Sequence, residues 1–238
     1  MSELTPRATR RIGHKGADHI APGNTLASFD AGLAAGVDMV EFDVLSENID
    51  GTGRLLLAHD YEDAARRTPL ELEEGLAHFT SEAYAGIELD VDLKLPGYED
   101  RVVTALREHG LAARTLISTM EVPSLRTVRA LAPEIRLGWS VPKVRRNYLA
   151  HPATKPFALA ALVYARRVLP PKLAAAIRAG EIEAVMAHWA LVTPAFWRTI
   201  REAGGELYVW TVDERPRIAA LEAMGVTGII SNDPRLFD

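Results

Sequence analysis

Cysteine is absent from all 238 residues, which removes disulfides, thiolate metal ligands and thiol nucleophiles from consideration. A long apolar run is also missing: none approaches the roughly 20 residues that cross a bilayer. The opening MSELTPRATRR lacks the apolar core of a secretion signal, so a cytoplasmic location is expected. There is no cationic excess either. With 27 Lys and Arg against 32 Asp and Glu, the net charge is −5, which argues against nucleic acid as a partner. Gly51-Thr52-Gly53 and Gly204-Gly205 lack the surroundings of a dinucleotide or P-loop fingerprint, and Ser118 and Ser231 lie in no nucleophile elbow. No internal repeat or low-complexity linker divides the chain. One domain is expected over 1–238, with its core at about 10–238, a length typical of α/β barrels.

What is present is alternation. Short extended runs at Ile12–His14, Val37–Val44, Ile87–Leu93, Thr115–Ser118, Arg136–Ser140, Ala184–Ala187, Leu207–Thr211 and Gly228–Ile230 are mostly each followed by a helical pattern. The helical patterns include Thr25–Ala35, Tyr98–His109, Val122–Leu131, Thr193–Ala203 and Pro216–Met224. Strand–helix alternation implies parallel strands with crossover helices. Eight such units fit a (β/α)8 TIM barrel better than an open sheet. Asn24-Thr25 and Thr193-Pro194 are placed to start helices, and Gly36 and Gly110 to end them. Leu55–Ala58 is then an extra strand at the barrel mouth, after the turn Asp50-Gly51-Thr52-Gly53, and it delivers His59-Asp60.

Two strands carry acids where a barrel should be packed. Side chains alternate along a strand, so Val37, Met39, Glu41 and Asp43 share one side and Val40, Phe42 and Val44 the other. In Ile87–Lys94, Ile87, Leu89, Val91 and Leu93 form one face and Glu88, Asp90, Asp92 and Lys94 the opposite one. Neighbouring carboxylates repel, and their burial needs pairing or a cation. The simplest alternatives are acids fraying into solvent and a salt-bridged edge strand, though an edge is out of place within a parallel series.

The order of these features resembles the glycerophosphodiester phosphodiesterase family. Its pattern has counterparts in His14-Lys15-Gly16, Pro22-Gly23-Asn24-Thr25, Glu41-Phe42-Asp43, Asp50-Gly51, His59-Asp60 and Asp92-Leu93-Lys94, and in the later VWTVDE and GVTGIISNDP. The resemblance implies a TIM barrel of the phospholipase-C-like phosphodiesterase type and a divalent cation, Mg²⁺ or Ca²⁺. It assigns Glu41, Asp43 and Asp92 as metal ligands and His14 and His59 as an acid/base pair. Lys15 and Lys94 would neutralise phosphate, and Trp210 would wall the pocket. Three residues depart from the pattern: Lys15 stands for arginine, Gly23 for glutamate, and Asp92 for the commoner glutamate. The stretch between His59 and Ile87 is short for the family. Asp92-Leu93-Lys94, Trp210 and Asp213 are also similar to the related sphingomyelinase D/phospholipase D toxins, which carry disulfides that this chain lacks. Three readings therefore stand side by side: hydrolysis of glycerophosphodiesters, lysophospholipase D-like action on lysolipids, and a catalytically impaired barrel that binds.

Other residues have plainer readings. His109 complements a helix end, His78 has no evident partner, and His188 precedes Trp189 at a strand end where it could line the pocket. Phe157–Ile177 is apolar with interspersed cations and is expected to break at Pro170-Pro171. It fits two barrel helices, a subunit interface or, near Lys143, Arg145, Arg146 and Lys155, a surface in peripheral contact with lipid.

Overall fold

The computed structural model describes residues 9–143 and 155–238, with the side chains of 155–158 excluded. Arg145, Arg146 and His151 lie outside this range. Nine strands form the sheet: β1 (Arg10–Gly13), β2 (Met39–Ser46), β3 (Leu55–Leu56), β4 (Glu88–Leu93), β5 (Thr115–Thr119), β6 (Arg136–Val141), β7 (Ala184–His188), β8 (Glu206–Trp210) and β9 (Gly228–Ser231). All but β3 are parallel, and their order closes through the β1–β9 and β1–β2 pairings. This is the expected eight-stranded (β/α)8 barrel, and closure removes every edge from the parallel set. β3 is the expected extra strand. It is shorter than its apolar run and pairs antiparallel with the end of β2, Leu56 opposite Leu45.

Helices α1 (Leu26–Ala34), α2 (Tyr61–Arg66), α3 (Leu72–Phe79), α4 (Glu99–Glu108), α5 (Val122–Leu131), α6 (Lys155–Arg178), α7 (Pro194–Glu202) and α8 (Arg215–Met224) surround it. The expected caps form. Thr25 accepts from the Ser28 amide and Thr193 from the Phe196 amide, while Gly36 and Gly110 take left-handed conformations. Outward strand residues pack beneath the helices. Phe29 of α1, Phe42 of β2 and Phe79 of α3 meet with ring centroids 4.8–5.8 Å apart.

Two expectations are corrected. Val37 precedes β2, so strand alternation does not govern it, and it packs in the outer layer rather than beside Met39 in the interior. The segment around Pro170-Pro171 is one 24-residue helix, α6, with both prolines inside it. An internal proline costs about 3 kcal/mol, but Leu173, Ala174 and Ala176 are buried beyond the prolines and hold the second half in line.

The barrel interior is layered. Arg10, Glu88, Arg136, Glu206 and the Tyr208 hydroxyl join in a ring of ion pairs and hydrogen bonds at the N-terminal end. Above it lies an apolar plug of Ile12, Met39, Leu116, Ala184, Met186, Tyr208 and Ile230. The acids come next. Register sets Glu41 beside Asp90 and Asp43 beside Asp92, and the plug beneath them is apolar and buried. Function is therefore confined to the C-terminal mouth.

Candidate active site

Asp43 is the centre of the mouth. It is fully buried, and burial alone would hold its proton on, yet Lys94 first and His59 next outweigh that and lower its pKa. Asn24, buried and in a left-handed conformation, grips it from both ends. Asn24 Nδ2 donates to Asp43 Oδ2 at 2.8 Å, and the Asp43 amide donates to Asn24 Oδ1 at 3.0 Å. This leaves Asp43 Oδ1 as the free oxygen. It touches the Lys94 ammonium but receives no hydrogen bond of proper geometry.

Glu41, Asp43 and Asp92 each bring one carboxylate oxygen within 4.8 Å of the other two. Burial, then Asp43, raises the pKa of Glu41, and burial also raises that of Asp92. Lys94 lies between Asp43 and Asp92, and their charges raise its pKa although burial opposes it. Two ammoniums, Lys94 among the three carboxylates and Lys15 beside them, still leave negative charge uncompensated. With an orphaned oxygen and donors that are all hard oxygens, the set fits a divalent cation such as Mg²⁺ or Ca²⁺.

His14 follows β1. Its Nδ1 lies 2.5 Å from Asn232 Oδ1, and its Nε2 lies 3.8 Å from Glu41 Oε2. Asn232 is itself aimed by Asp213. Its Nδ2 donates to Asp213 Oδ2 at 2.7 Å and its amide to Asp213 Oδ1 at 2.8 Å, where Ser231 Oγ also donates. With Nδ2 committed, only Oδ1 remains for His14. The ring proton therefore sits on Nδ1, and Nε2 offers a lone pair. Burial, then the charge of Lys15, lowers the His14 pKa to about 4.

Lys15 donates its backbone amide to Glu41 Oε2 at 2.8 Å and its Nζ to Asp18 at 3.2 Å. Burial opposes its charge, but Asp43 and Asp18 raise its pKa. The position of Gly23 is filled by the same acid. Gly23 N donates to Asp18 Oδ1, and a Cβ at Gly23 would stand 2.5 Å from that oxygen.

His59 comes from the loop beyond β3 and is half exposed. Its amide donates to Asp63 at 3.1 Å and its Nδ1 to Asp60 Oδ2 at 2.9 Å, while Asp60 Oδ1 caps α2. The imidazole lies near enough to Asp43 and Asp92 to favour their anions. Trp210 ends β8, donates Nε1 to Met186 O at 2.9 Å, and meets His188 edge-on at 5.2 Å. All eight site residues expected from the sequence thus gather at one end of the barrel.

Sequence reasoning missed several supports. Asn24 reads as a helix cap, Asp60 and Asn232 only as members of family motifs, and Asp18 receives no reading. Asp90 reads as one of the inward acids but with no role of its own, yet it is buried under the carboxylates, its Oδ1 has no hydrogen-bond partner, and burial and then Asp92 raise its pKa to about 8. The one available signal was an inward acid two residues before Asp92. The outlying histidines are structural: His78 pairs with Asp30 and His109 with Glu73, each at 2.7 Å.

The chain is 25% identical to a glycerophosphodiester phosphodiesterase of Caldanaerobacter subterraneus subsp. tengcongensis, over 94% of this chain and 93% of that protein. Among solved structures, the glycerophosphodiester phosphodiesterase of Agrobacterium tumefaciens superposes with a TM-score of 0.70 at 18% identity, covering 96% of this chain and 98% of the other. A phosphodiesterase of Oleispira antarctica, solved with the product sn-glycerol-3-phosphate, gives 0.69 at 21% identity, covering 96% and 94%. At these identities the structures attest the fold. The family profile matches residues 14–52 and 70–236, passing over the loop that bears His59 but including the other seven expected site residues. A match over most of the length, on a closed barrel with its acids at the mouth, decides the matter: this chain belongs to the glycerophosphoryl diester phosphodiesterase family.

Proposed function

We propose that the protein hydrolyses glycerophosphodiesters to an alcohol and a glycerol phosphate, with a divalent cation held by Glu41, Asp43 and Asp92. The observation that carries this reading is the meeting of three carboxylates, the orphaned Asp43 Oδ1 among them, with an imidazole whose free nitrogen lies 3.8 Å from Glu41. A bound cation would supply Lewis-acid polarisation of a phosphoryl oxygen. Lys15 and Lys94 offset the charge of the phosphate.

His14, neutral with its lone pair at Nε2, takes the proton from the hydroxyl next to the phosphoester as that oxygen attacks phosphorus. His59, held at Nδ1 by Asp60, gives a proton to the departing alcohol oxygen. The P–O bond to the alcohol breaks as the ring closes to a cyclic phosphate. Water then opens the ring, with the two imidazoles exchanging roles. Trp210 and His188 wall the side of the cleft formed by β7 and β8. The presence of glycerol phosphate as product in the Oleispira antarctica relative supports the glycerol moiety as the retained half. The reading as an impaired barrel rests on Lys15 and Gly23, and Asp18 weakens it, since it fills the place of the missing side chain at Gly23 and braces Lys15. The reading as a lysolipid hydrolase rests on Asp92-Leu93-Lys94, Trp210, Asp213 and the short stretch between His59 and Ile87.

Exhaustive chelation should abolish turnover of a simple glycerophosphodiester, and Mg²⁺ or Ca²⁺ should restore it. Asp43→Asn should lose both metal affinity and rate. Full activity in metal-free protein would overturn the assignment.

A further inference from the structure

The sequence is electrically lopsided. From Ile135 to Gly180 it carries nine lysines and arginines and not one acid, leaving eighteen cations against thirty-two acids in the remainder. α6 occupies much of this stretch. Before Pro170, among its described side chains, only Leu162, Ala165 and Leu169 pack against the barrel core. On the outward side, Leu159, Val163, Tyr164 and Val168 are exposed, Val163 by 52% and Tyr164 by 68%. These are four of the eight large hydrophobic residues exposed among the described residues, gathered on one helix. Arg166 and Arg167 interrupt them, and among the described residues no carboxylate pairs with Arg166, Arg167, Lys172 or Arg178.

The position of this face matters. Arg166 donates to Ala190 O at 2.6 Å, just beyond the C-terminal end of β7, so Arg166 is level with the barrel's catalytic rim. At 1.5 Å per residue, the seven positions back to Leu159 carry the helix about 10 Å past that level. A projecting, half-apolar, cationic helix therefore stands beside the mouth. It cannot be a span, because no described helix is long and apolar enough to cross a membrane. A second copy docked by the same face would set cations against cations.

We propose that the outward face of α6, centred on Val163, Tyr164 and Arg167, is a docking surface for an anionic phospholipid bilayer. The helix lies in the plane of the interface, its apolar side chains enter the headgroup boundary, and its arginines meet the negative surface. The barrel axis then runs along the membrane, with the mouth opening beside its surface. This docking is a binding property and holds whatever the substrate proves to be.

The full chain should co-sediment with vesicles of equal parts phosphatidylglycerol and phosphatidylcholine, and not with phosphatidylcholine alone. Binding should fade toward about 1 M salt, where screening falls to about 3 Å. Each charge near the surface is worth about fivefold in binding, so Arg167→Glu should weaken it roughly tenfold or more. Val163→Glu and Tyr164→Glu should do the same, and Leu131→Glu, exposed on α5 away from this face, should not. Unchanged melting temperatures will show that each variant folds. Failure of the wild type to bind the anionic vesicles, or undiminished binding by all three variants, would overturn the proposal. So would a wild-type dimer in light scattering that Tyr164→Glu converts to monomer, since a second copy would then own the face.

Discussion

Two neutral amides aim the groups at this site. Asn24 takes one oxygen of Asp43 and leaves the other to Lys94; Asn232 fixes the tautomer of His14 and passes its own orientation back to Asp213. Neither carries charge, so each positions an ionisable neighbour without screening it. The acid/base pair should behave as a unit: His14→Ala and His59→Ala should each lower turnover by about 10²–10⁴, and the double variant should lose little more than the worse single one. Multiplying losses would show that the two act independently. Asn232→Ala should reduce kcat with metal affinity intact, because it frees the ring rather than removing it. The rate should also be bell-shaped in pH. The base must be neutral, and burial has lowered the His14 pKa to about 4, so the acid limb should fall well below pH 6.5. A limb at 6.5 would mean that His14 is solvated in the working enzyme.

At the scale of elements, the loop before α1 shows how sequence departures are absorbed. A side chain at Gly23 is not barred by its backbone, whose φ lies outside the left-handed region, but by Asp18 occupying the space. Gly23→Glu should therefore cost about 1–2 kcal/mol in chemical denaturation. Asp18→Ala in the same chain should recover part of that loss, a coupling measured by the double-mutant cycle. Additive losses would show that the loop relaxes elsewhere. If the restored glutamate reaches the cation, the activity ratio between glycerophosphodiesters and lysolipids will change as well. The loop at His59 follows the same logic with a different device: Asp60 starts α2 with one oxygen and holds the catalytic imidazole with the other, so a helix cap and an acid/base group share one residue.

For the whole molecule, the decisive feature is the stacking of an acidic layer on an apolar plug. Asp90 sits at that boundary, with its pKa raised from 3.8 to about 8 by burial and then by Asp92. Between those values the native state keeps a proton that the unfolded chain releases. Rising pH therefore destabilises the fold across that window by about 1.4 kcal/mol per unit at most. Asp90→Asn removes the proton from the balance. In chelator, its melting temperature should gain on the parent as pH rises from about 5 to 8. A constant difference would place a counter-charge near Asp90 in solution.

The sequence by itself determined the barrel and most of the site. Alternation of strand and helix patterns, and the period of two that turns Glu41, Asp43, Asp90, Asp92 and Lys94 to one side, are local properties of the backbone and survive in one dimension. The helices between His59 and β4 escaped notice because α2 buries no face and α3, although Leu72, Leu76 and Phe79 recur at helical spacing, spans only eight residues. The unbroken α6 was hidden because burial of residues beyond Pro170-Pro171, a tertiary matter, outweighs a local penalty. Only the tertiary structure could bring Asn232 to His14 across 218 positions, set Asn24 on Asp43, or put Asp18 where Gly23 has no side chain. Hydrogen bonds between distant loops leave no period in a sequence. They exist because closing the barrel brings the last strand beside the first.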